Sequence, residues 1–219
     1  MHNVTVAFAA LLVMLLSYFF GCFNGSFMVS HFIIRDDVRK HGSGNAGLTN
    51  FYRTYGAKYA LLVIACDMGK TVAACLLGSF FFRCLGWDGT LGTLLAGLGC
   101  ELGHIFPVFY GFRGGKGILS GGTLVLLLNW RVAAVAWALF LLLWLTTRYV
   151  SLASITATCS APITVYFVYG HNWLYTGLCL AVAALVVWCH RENIQRLLHG
   201  TEKKFKWHIN PTEGKDPPQ

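Results

Sequence analysis

Long stretches of the chain are apolar, and the polar residues gather in short islands between them. The apolar runs at about 4–34, 59–82, 131–147, 149–169 and 172–189 approach or exceed the roughly 20 residues a helix needs to cross about 30 Å of hydrocarbon. A backbone in lipid must satisfy its own hydrogen bonds, and the alternating pattern of a barrel is missing, so these runs predict membrane-spanning helices. Two further runs, about 87–102 and 118–128, are short; the first is rich in glycine and ends on Glu101. They predict thin crossings or re-entrant segments. Five spans and seven are both odd counts, so either places the chain ends on opposite sides of the membrane.

Composition agrees with this pattern. Of 219 residues, 56% are hydrophobic and 12% charged, the profile of a polytopic membrane protein rather than a soluble domain. Charge adds the orientation. When the loops are assigned by alternation, most of the 17 Lys and Arg fall on one side, with Arg83 and Arg131 opposite and Lys70 inside a span. Basic residues near span ends favour the cytoplasm, so the N-terminus is expected outside and the C-terminus in the cytoplasm. No Lys or Arg precedes the first apolar run, which predicts a retained first helix rather than a cleaved signal peptide. The net charge of +8 is mostly this orientation signal, with the remainder suited to anionic headgroups or substrates rather than nucleic acid. All eight Cys lie in or beside apolar runs without C-x-x-C spacing, and read as packing residues rather than disulfides or metal ligands. Residues 1–202 are expected to form a single membrane domain, and the polar stretch 203–219 a flexible cytoplasmic tail.

Three cytoplasmic islands are too specific for ordinary loops: "HGSGNAGLTNFYR" (41–53), "GHIFPVFYGFRGGKG" (103–117) and "HRENIQRLLHGTEKK" (190–204). In the second, Gly114, Gly115 and Gly117 flank Lys116. Glycine permits positive φ and close approach, so successive amides can form an anion-binding concavity, and a helix N-terminus at Ile118 would point at the same spot. A plain re-entrant turn with an interfacial lysine is the simpler alternative. The first island offers Ser43, Asn45, Thr49 and Asn50 as short polar groups, and Arg53 as a forked donor suited to phosphate oxygens. In the third, His190, Asn193 and Arg196 line one side of a helix, where cations can also simply complement the helix dipole. Asp67 and Lys70 lie three residues apart inside a span, either as a self-contained structural ion pair or as a substrate contact.

Three motif matches fail on context. "GSGNAG" (42–47) has dinucleotide-loop spacing but follows a membrane span rather than a strand, and "GGKG" lacks the first glycine and the hydroxyl residue of a nucleotide-binding P-loop. "HFIIRD" (31–36) has H-x4-D spacing, but His31 sits at the end of an apolar span with no soluble α/β domain around it.

Taken together and in order, the three islands resemble the signatures of the bacterial acyl-phosphate:glycerol-3-phosphate acyltransferase family, the PlsY family. The likeness runs from "GCFNGS" (21–26) to "GTEKK" (200–204), and "DMGK" (67–70) is similar to a further D-x-x-K element. The resemblance implies an all-α, seven-helix bacterial inner-membrane protein with some short or broken helices and a cytoplasm-facing active site. It also implies transfer of a fatty acyl group from acyl phosphate to the 1-hydroxyl of glycerol 3-phosphate, giving lysophosphatidic acid and phosphate. Carried over by position, it makes Ser43, Arg53, Lys116, His190 and Asn193 catalytic. Asn45, Thr49, His104, Gly114, Gly115, Gly117 and Ser154 become substrate-binding residues, and Asp67, Lys70 and Glu202 structural ones. No metal or other cofactor is implied. This chain departs from the family pattern at Phe27 and Met28, where a proline usually follows the first "GS", and at Thr71, where a glycine usually follows the lysine.

The residues suit that chemistry. An acyl phosphate is a mixed anhydride with a good leaving group, so no covalent serine or cysteine intermediate is required. Two anionic substrates must be brought together, and fixed cations and dipoles lower the cost of their encounter. The hydroxyl proton can go to His190 or His104, whose ordinary pKa is near neutrality, or, as the resemblance implies, to the substrate's own phosphate. The competing class is a small transporter or flippase of an anionic lipid or phosphate-bearing solute, favoured by Asp67, Lys70 and the short spans, although transporters gather polar residues near the midplane rather than on one face. A thioester donor, acyl-CoA or acyl carrier protein, also remains open from sequence.

Overall fold

The computed structural model describes residues 2–206, with side chains from Val4 onward. Among the described residues every regular element is helical. The first long run splits into α1 (His2–Cys22), α2 (Gly25–Met28) and a π-helix, Val29–Ile34. A short 3-10 turn (Val38–Lys40) leads to α3 (Leu48–Tyr55) and the long α4 (Ala60–Cys84). Then follow α5 (Gly89–Ile105), a 3-10 turn (Val108–Tyr110), α6 (Ile118–Leu128), α7 (Trp130–Thr147), α8 (Val150–Val168), α9 (Trp173–Cys189) and α10 (Arg191–Leu198).

Five segments are long and apolar enough to cross a membrane: Val4–Ile34, Ala60–Cys84, Gly89–Tyr110, Trp130–Thr147 and Val150–Val168. The glycine-rich run thus reaches spanning length, which its extent in sequence understated. A sixth candidate is the pair α9 and α10, bent by 59° at His190. At 11 residues, α6 covers only roughly 16 Å at 1.5 Å per residue. Of the expected tail 203–219, Lys203 to Lys206 are described and the remainder lies outside the described residues. These four do not hang free: Phe205 N donates to Arg148 O at 2.8 Å, and its ring packs between Tyr52 and Trp144.

The helices away from the islands begin with side-chain caps. Asp88 starts α5, Asn129 starts α7 and Asn172 starts α9, each accepting from amides of the following turn. Helix α5 is the hub and packs against α1, α4, α6 and α9. A Cβ at Gly103 would run into Tyr18 O, so α1 and α5 meet backbone to backbone, as small residues allow within a membrane. Helices α7, α8 and α9 share a buried cluster containing Val132, Ala136, Ala161, Val165, Tyr175 and Cys179. Large apolar side chains such as Leu61, Phe80, Leu145 and Phe167 are exposed on the outside, where a lipid solvent would meet them.

The break in the first span explains Asp67 and Lys70. Where α1 stops, Lys70 Nζ donates to Gly21 O at 3.1 Å and Phe23 O at 3.0 Å; where α2 starts, Gly25 N donates to Asp67 Oδ1 at 3.0 Å. The two side chains lie 2.8 Å apart and are buried. They satisfy backbone groups that a broken helix leaves orphaned in an apolar setting. Asn24, fully buried, completes the joint by accepting from Phe27 N and donating to Ala46 O, which ties the break to the first island.

Candidate functional site

The first island is organised by one side chain. Asn50, on α3, donates through Nδ2 to Val38 O, His41 O and Asn45 O at 3.0–3.2 Å, and its Oδ1 accepts from Ser43 N at 2.9 Å. The loop therefore wraps around an amide, with Ser43, Asn45 and Thr49 on its cavity side. Sequence reasoning noted Asn50 only as another short polar group; its role depends on where the turn returns.

The second island is held by backbone pairing. Gly114 N donates to Ile105 O at 3.1 Å and Gly115 N to His104 O at 3.0 Å, while Gly114 O accepts from Ala46 N at 3.3 Å. The Gly114 and Gly115 amides are committed to the fold rather than offered to an anion, and neither residue lines the cavity described below. This corrects the expected concavity. A Cβ at Gly115 would strike the His104 ring, so that glycine serves close packing. The anion-favouring parts of the loop are Lys116 and the start of α6, where Gly117 adopts φ +82° and provides no side-chain cap. His104 itself is buried, with Nδ1 2.8 Å from Lys70 Nζ and 3.6 Å from Asp67 Oδ1. An ammonium can only donate, so Nδ1 accepts, and in the neutral ring the proton sits on Nε2, facing Gly115.

The third island begins at the bend between α9 and α10. His190 Nδ1 lies 2.8 Å from Val186 O, which can only accept, so the neutral ring carries its proton on Nδ1 and leaves Nε2 as the basic atom. Lys116 Nζ donates to Asn193 Oδ1. Asn193 Nδ2 donates to Glu202 Oε1 at 2.7 Å, Ser151 Oγ to the same oxygen at 2.8 Å, and Arg196 Nε to Glu202 Oε2 at 2.7 Å. One carboxylate thus orients groups of the third island and α8, and reaches Lys116 of the second island only through Asn193. Burial by itself would raise the Glu202 pKa, but hydrogen bonds from Arg196, Asn193 and Ser151 outweigh it and hold the carboxyl below its ordinary range. Burial, reinforced by nearby Arg196, lowers Lys116 from the ordinary lysine value against the opposing pull of Glu202 and Glu192. Arg53 Nη2 donates to Lys203 O at 3.2 Å, which closes the ring of islands.

A cavity of about 660 Å³ joins these elements. Ser43, Arg53, Lys116, His190 and Asn193 all line it, as do Asn45, Thr49, His104, Gly117 and Ser154. Of the residues assigned a structural part, Asp67 and Glu202 touch it and Lys70 does not. Arg196, named in the third island but given no site role, also lines the wall, as does Ser151, which the sequence did not single out. Four basic residues, Arg53, Lys116, Arg196 and Lys203, line this end beside a single rim carboxylate, Glu202, so it is electropositive. Ser154 Oγ is buried and unpartnered among the described residues. Below the polar end the walls turn apolar, with Leu124, Trp137, Phe140, Ala157 and Val182 leading down between α6, α7, α8 and α9. Glu101, buried beneath Gly117 with Oε1 unpartnered among the described residues, was passed over; its only sequence signal is a lone acid in a glycine-rich apolar run.

A bundle of apolar helices around a cavity that is cationic at one end and apolar below defines an integral membrane protein with a site at its polar end. More specifically, the chain belongs to the glycerol-3-phosphate acyltransferase family, whose model matches residues 11–200. It is 40% identical over 197 residues to a glycerol-3-phosphate acyltransferase of Syntrophomonas wolfei, covering 90% of this chain and 96% of that one. To one from Finegoldia magna it is 38% identical over 189 residues, covering 86% and 92%. In structure it is similar to PlsY, an integral membrane glycerol 3-phosphate acyltransferase, in a crystal structure of the glycerol 3-phosphate form: TM-score 0.79, 37% identity, 90% of this chain and 96% of that one. For the lysophosphatidic acid form the TM-score is 0.77 at 36% identity, with 90% and 95% covered.

Proposed function

We propose that the protein transfers a fatty acyl group from acyl phosphate to the 1-hydroxyl of glycerol 3-phosphate, giving lysophosphatidic acid and inorganic phosphate without an acyl-enzyme. The observation that carries this reading is the two-ended cavity: cations suited to phosphate at the rim, and an apolar slot continuing below them. Arg53, Lys116 and Arg196 offset the repulsion between the two substrate phosphates, and the uncapped start of α6 adds a positive dipole end. The hydroxyl oxygen attacks the acyl carbonyl, the bond to the phosphate oxygen breaks, and the hydroxyl proton passes to the phosphate of glycerol 3-phosphate itself. His190 Nε2 and Asn193 hold that substrate in place. Glu202 fixes Asn193 and Arg196, and Ser43, Asn45, Thr49 and Ser154 contact the substrates. An acyl chain contributes about 0.8 kcal/mol per buried CH₂, so the donor already lies in the bilayer when its phosphate reaches the rim.

With α6 as a thin crossing and α9–α10 as one bent span, the chain crosses seven times, with its N-terminus outside and C-terminus cytoplasmic. Residues up to 202 act as one domain in a bacterial inner membrane. The basic residues around the three islands support that orientation.

Purified protein given glycerol 3-phosphate with acyl phosphate, acyl-CoA or acyl carrier protein thioester, each separately, tests the donor. Lysophosphatidic acid is expected from acyl phosphate alone; product from a thioester alone would replace the proposed donor. For the proton, His190→Gln is expected to weaken glycerol 3-phosphate binding more than turnover. Intact affinity with abolished turnover and a lost acidic limb in the pH profile would make His190 the base.

A further inference from the structure

The apolar half of the cavity ends abruptly, and what ends it is specific to three positions. Ala136 on α7, Ala161 on α8 and Cys179 on α9 are its deepest lining residues on those helices. Each lies the same distance along its helix from the polar end. Cys179 is as far from His190 as Ala161 is from Val150 and Ala136 is from Thr147, roughly 16 Å at 1.5 Å per residue. All three are buried, and behind them Leu128, Val132, Val165 and Tyr175 fill the same packed cluster. Tyr169 braces that layer by donating its hydroxyl to Leu128 O at 2.7 Å. The slot therefore has a floor, and the floor is made of side chains with little volume of their own.

We infer that Ala136, Ala161 and Cys179 set the longest acyl chain the protein accepts, acting as a length gauge at the bottom of the slot. The inference rests on the acyl-transfer reading above and adds the residues that decide specificity. At about 1.2 Å of reach per single bond, the rate implied by extended backbone dimensions, a slot of that depth holds on the order of 14 carbons. A longer chain must displace close-packed residues or fold back, and interiors packed to crystal-like density resist that. A bulkier floor shortens the slot, because each of the three residues lines its lower end. Removal of volume behind it, as in Val165→Ala, deepens the slot.

The test uses Ala161→Leu, Cys179→Leu and Ala136→Leu as separate variants, with Val165→Ala as the opposite change. Ligand-free melting temperature identifies the variants that remain folded. Two series of even chain lengths from ten to eighteen carbons are then compared: turnover of acyl phosphates, and thermal stabilisation by unreactive alkyl phosphates. Ala136→Leu and Ala161→Leu are expected to move both optima shorter by about two carbons, the reach of the two added bonds at about 1.2 Å each, and Cys179→Leu, which adds one bond, in the same direction by less. The shortest donors should react within about twofold of the unaltered protein and the longest at least about tenfold more slowly, the scale of a few methylenes in a hydrophobic pocket. Val165→Ala should move both optima longer. Unchanged optima in folded variants, or an equal loss at every length, would overturn the inference. The alkyl phosphate series separates the two claims: an unaltered protein that turns over no acyl phosphate contradicts the acyl-transfer reading, whereas the binding optima still decide the gauge.

Discussion

Asp67, buried, and Glu202, partly buried at the cavity rim, are both carboxylates that hold a cation, and their other partners differ in kind. Asp67 pairs with Lys70 at 2.8 Å, and the partners completing that cluster are mainly backbone groups of the broken first span: Gly21 O, Phe23 O and Gly25 N. Glu202 pairs with Arg196 at 2.7 Å, but its other partners are the side chains of Asn193 and Ser151, both on the cavity wall. One acid substitutes for missing helix hydrogen bonds. The other orients side chains that line the cavity. A charged pair thus reports structure or function according to what else its oxygens and hydrogens touch.

Breaking each cluster should separate the two roles. The largest effect is expected from Lys70→Met, which leaves Asp67 buried and unpaired; removal of one partner from a buried pair costs about 3–5 kcal/mol. Thermal unfolding in detergent should show a severe loss of stability, with activity disappearing alongside it. The double replacement Asp67→Asn with Lys70→Met should regain part of the melting temperature, because it removes the uncompensated charge. Second, Lys116→Ala should leave the melting temperature nearly unchanged and lower kcat/KM for glycerol 3-phosphate by about 100- to 1,000-fold, the range for loss of a preorganised electrostatic group. Third, Glu202→Gln keeps the shape but not the charge, and should cost about tenfold in kcat/KM, close to the 1.4 kcal/mol that a charge-assisted hydrogen bond can carry. A collapse in stability for Glu202→Gln matching that of Lys70→Met would erase the distinction.

The smallest effect concerns pH. Lys116 loses its proton more easily than an exposed lysine, because burial and Arg196 disfavour its charge. Its cation is therefore fully present at low pH and is lost as pH rises through a value below the usual lysine range. The KM for glycerol 3-phosphate should rise on the alkaline side earlier than an ordinary lysine would allow, and Lys116→Arg should push that limb to higher pH. Glu202 is shifted the other way, so it stays ionised down to below the usual carboxylate range and should add no acid limb near neutrality.

Much of this arrangement was legible in the sequence, because membrane spans leave little room for polar residues and those left over stand out. Arg53, Lys116, His190 and Asn193 lie in three separate islands, yet they meet in one cavity. Less legible was anything that depends on side chain to backbone pairing at long range. Asn24 and Asn50 bond to carbonyls that hydrophobic periodicity cannot locate, and the first apolar run gave no sign of its break at Asn24. The glycines misled in a physical way. Close packing and amide display require the same residue, and Gly115 proved to be pressed against the His104 ring. Phe205 belonged to a stretch read as tail because its composition is polar, although its ring is gripped by Tyr52 and Trp144.

The most direct test of the account is a joint assay of both products. Purified protein supplied with acyl phosphate and glycerol 3-phosphate should release inorganic phosphate and form lysophosphatidic acid in equal amounts, saturably in each substrate, with both signals falling together in Lys116→Ala. Phosphate released without lysophosphatidic acid, or glycerol 3-phosphate carried across a vesicle membrane unacylated, would contradict it.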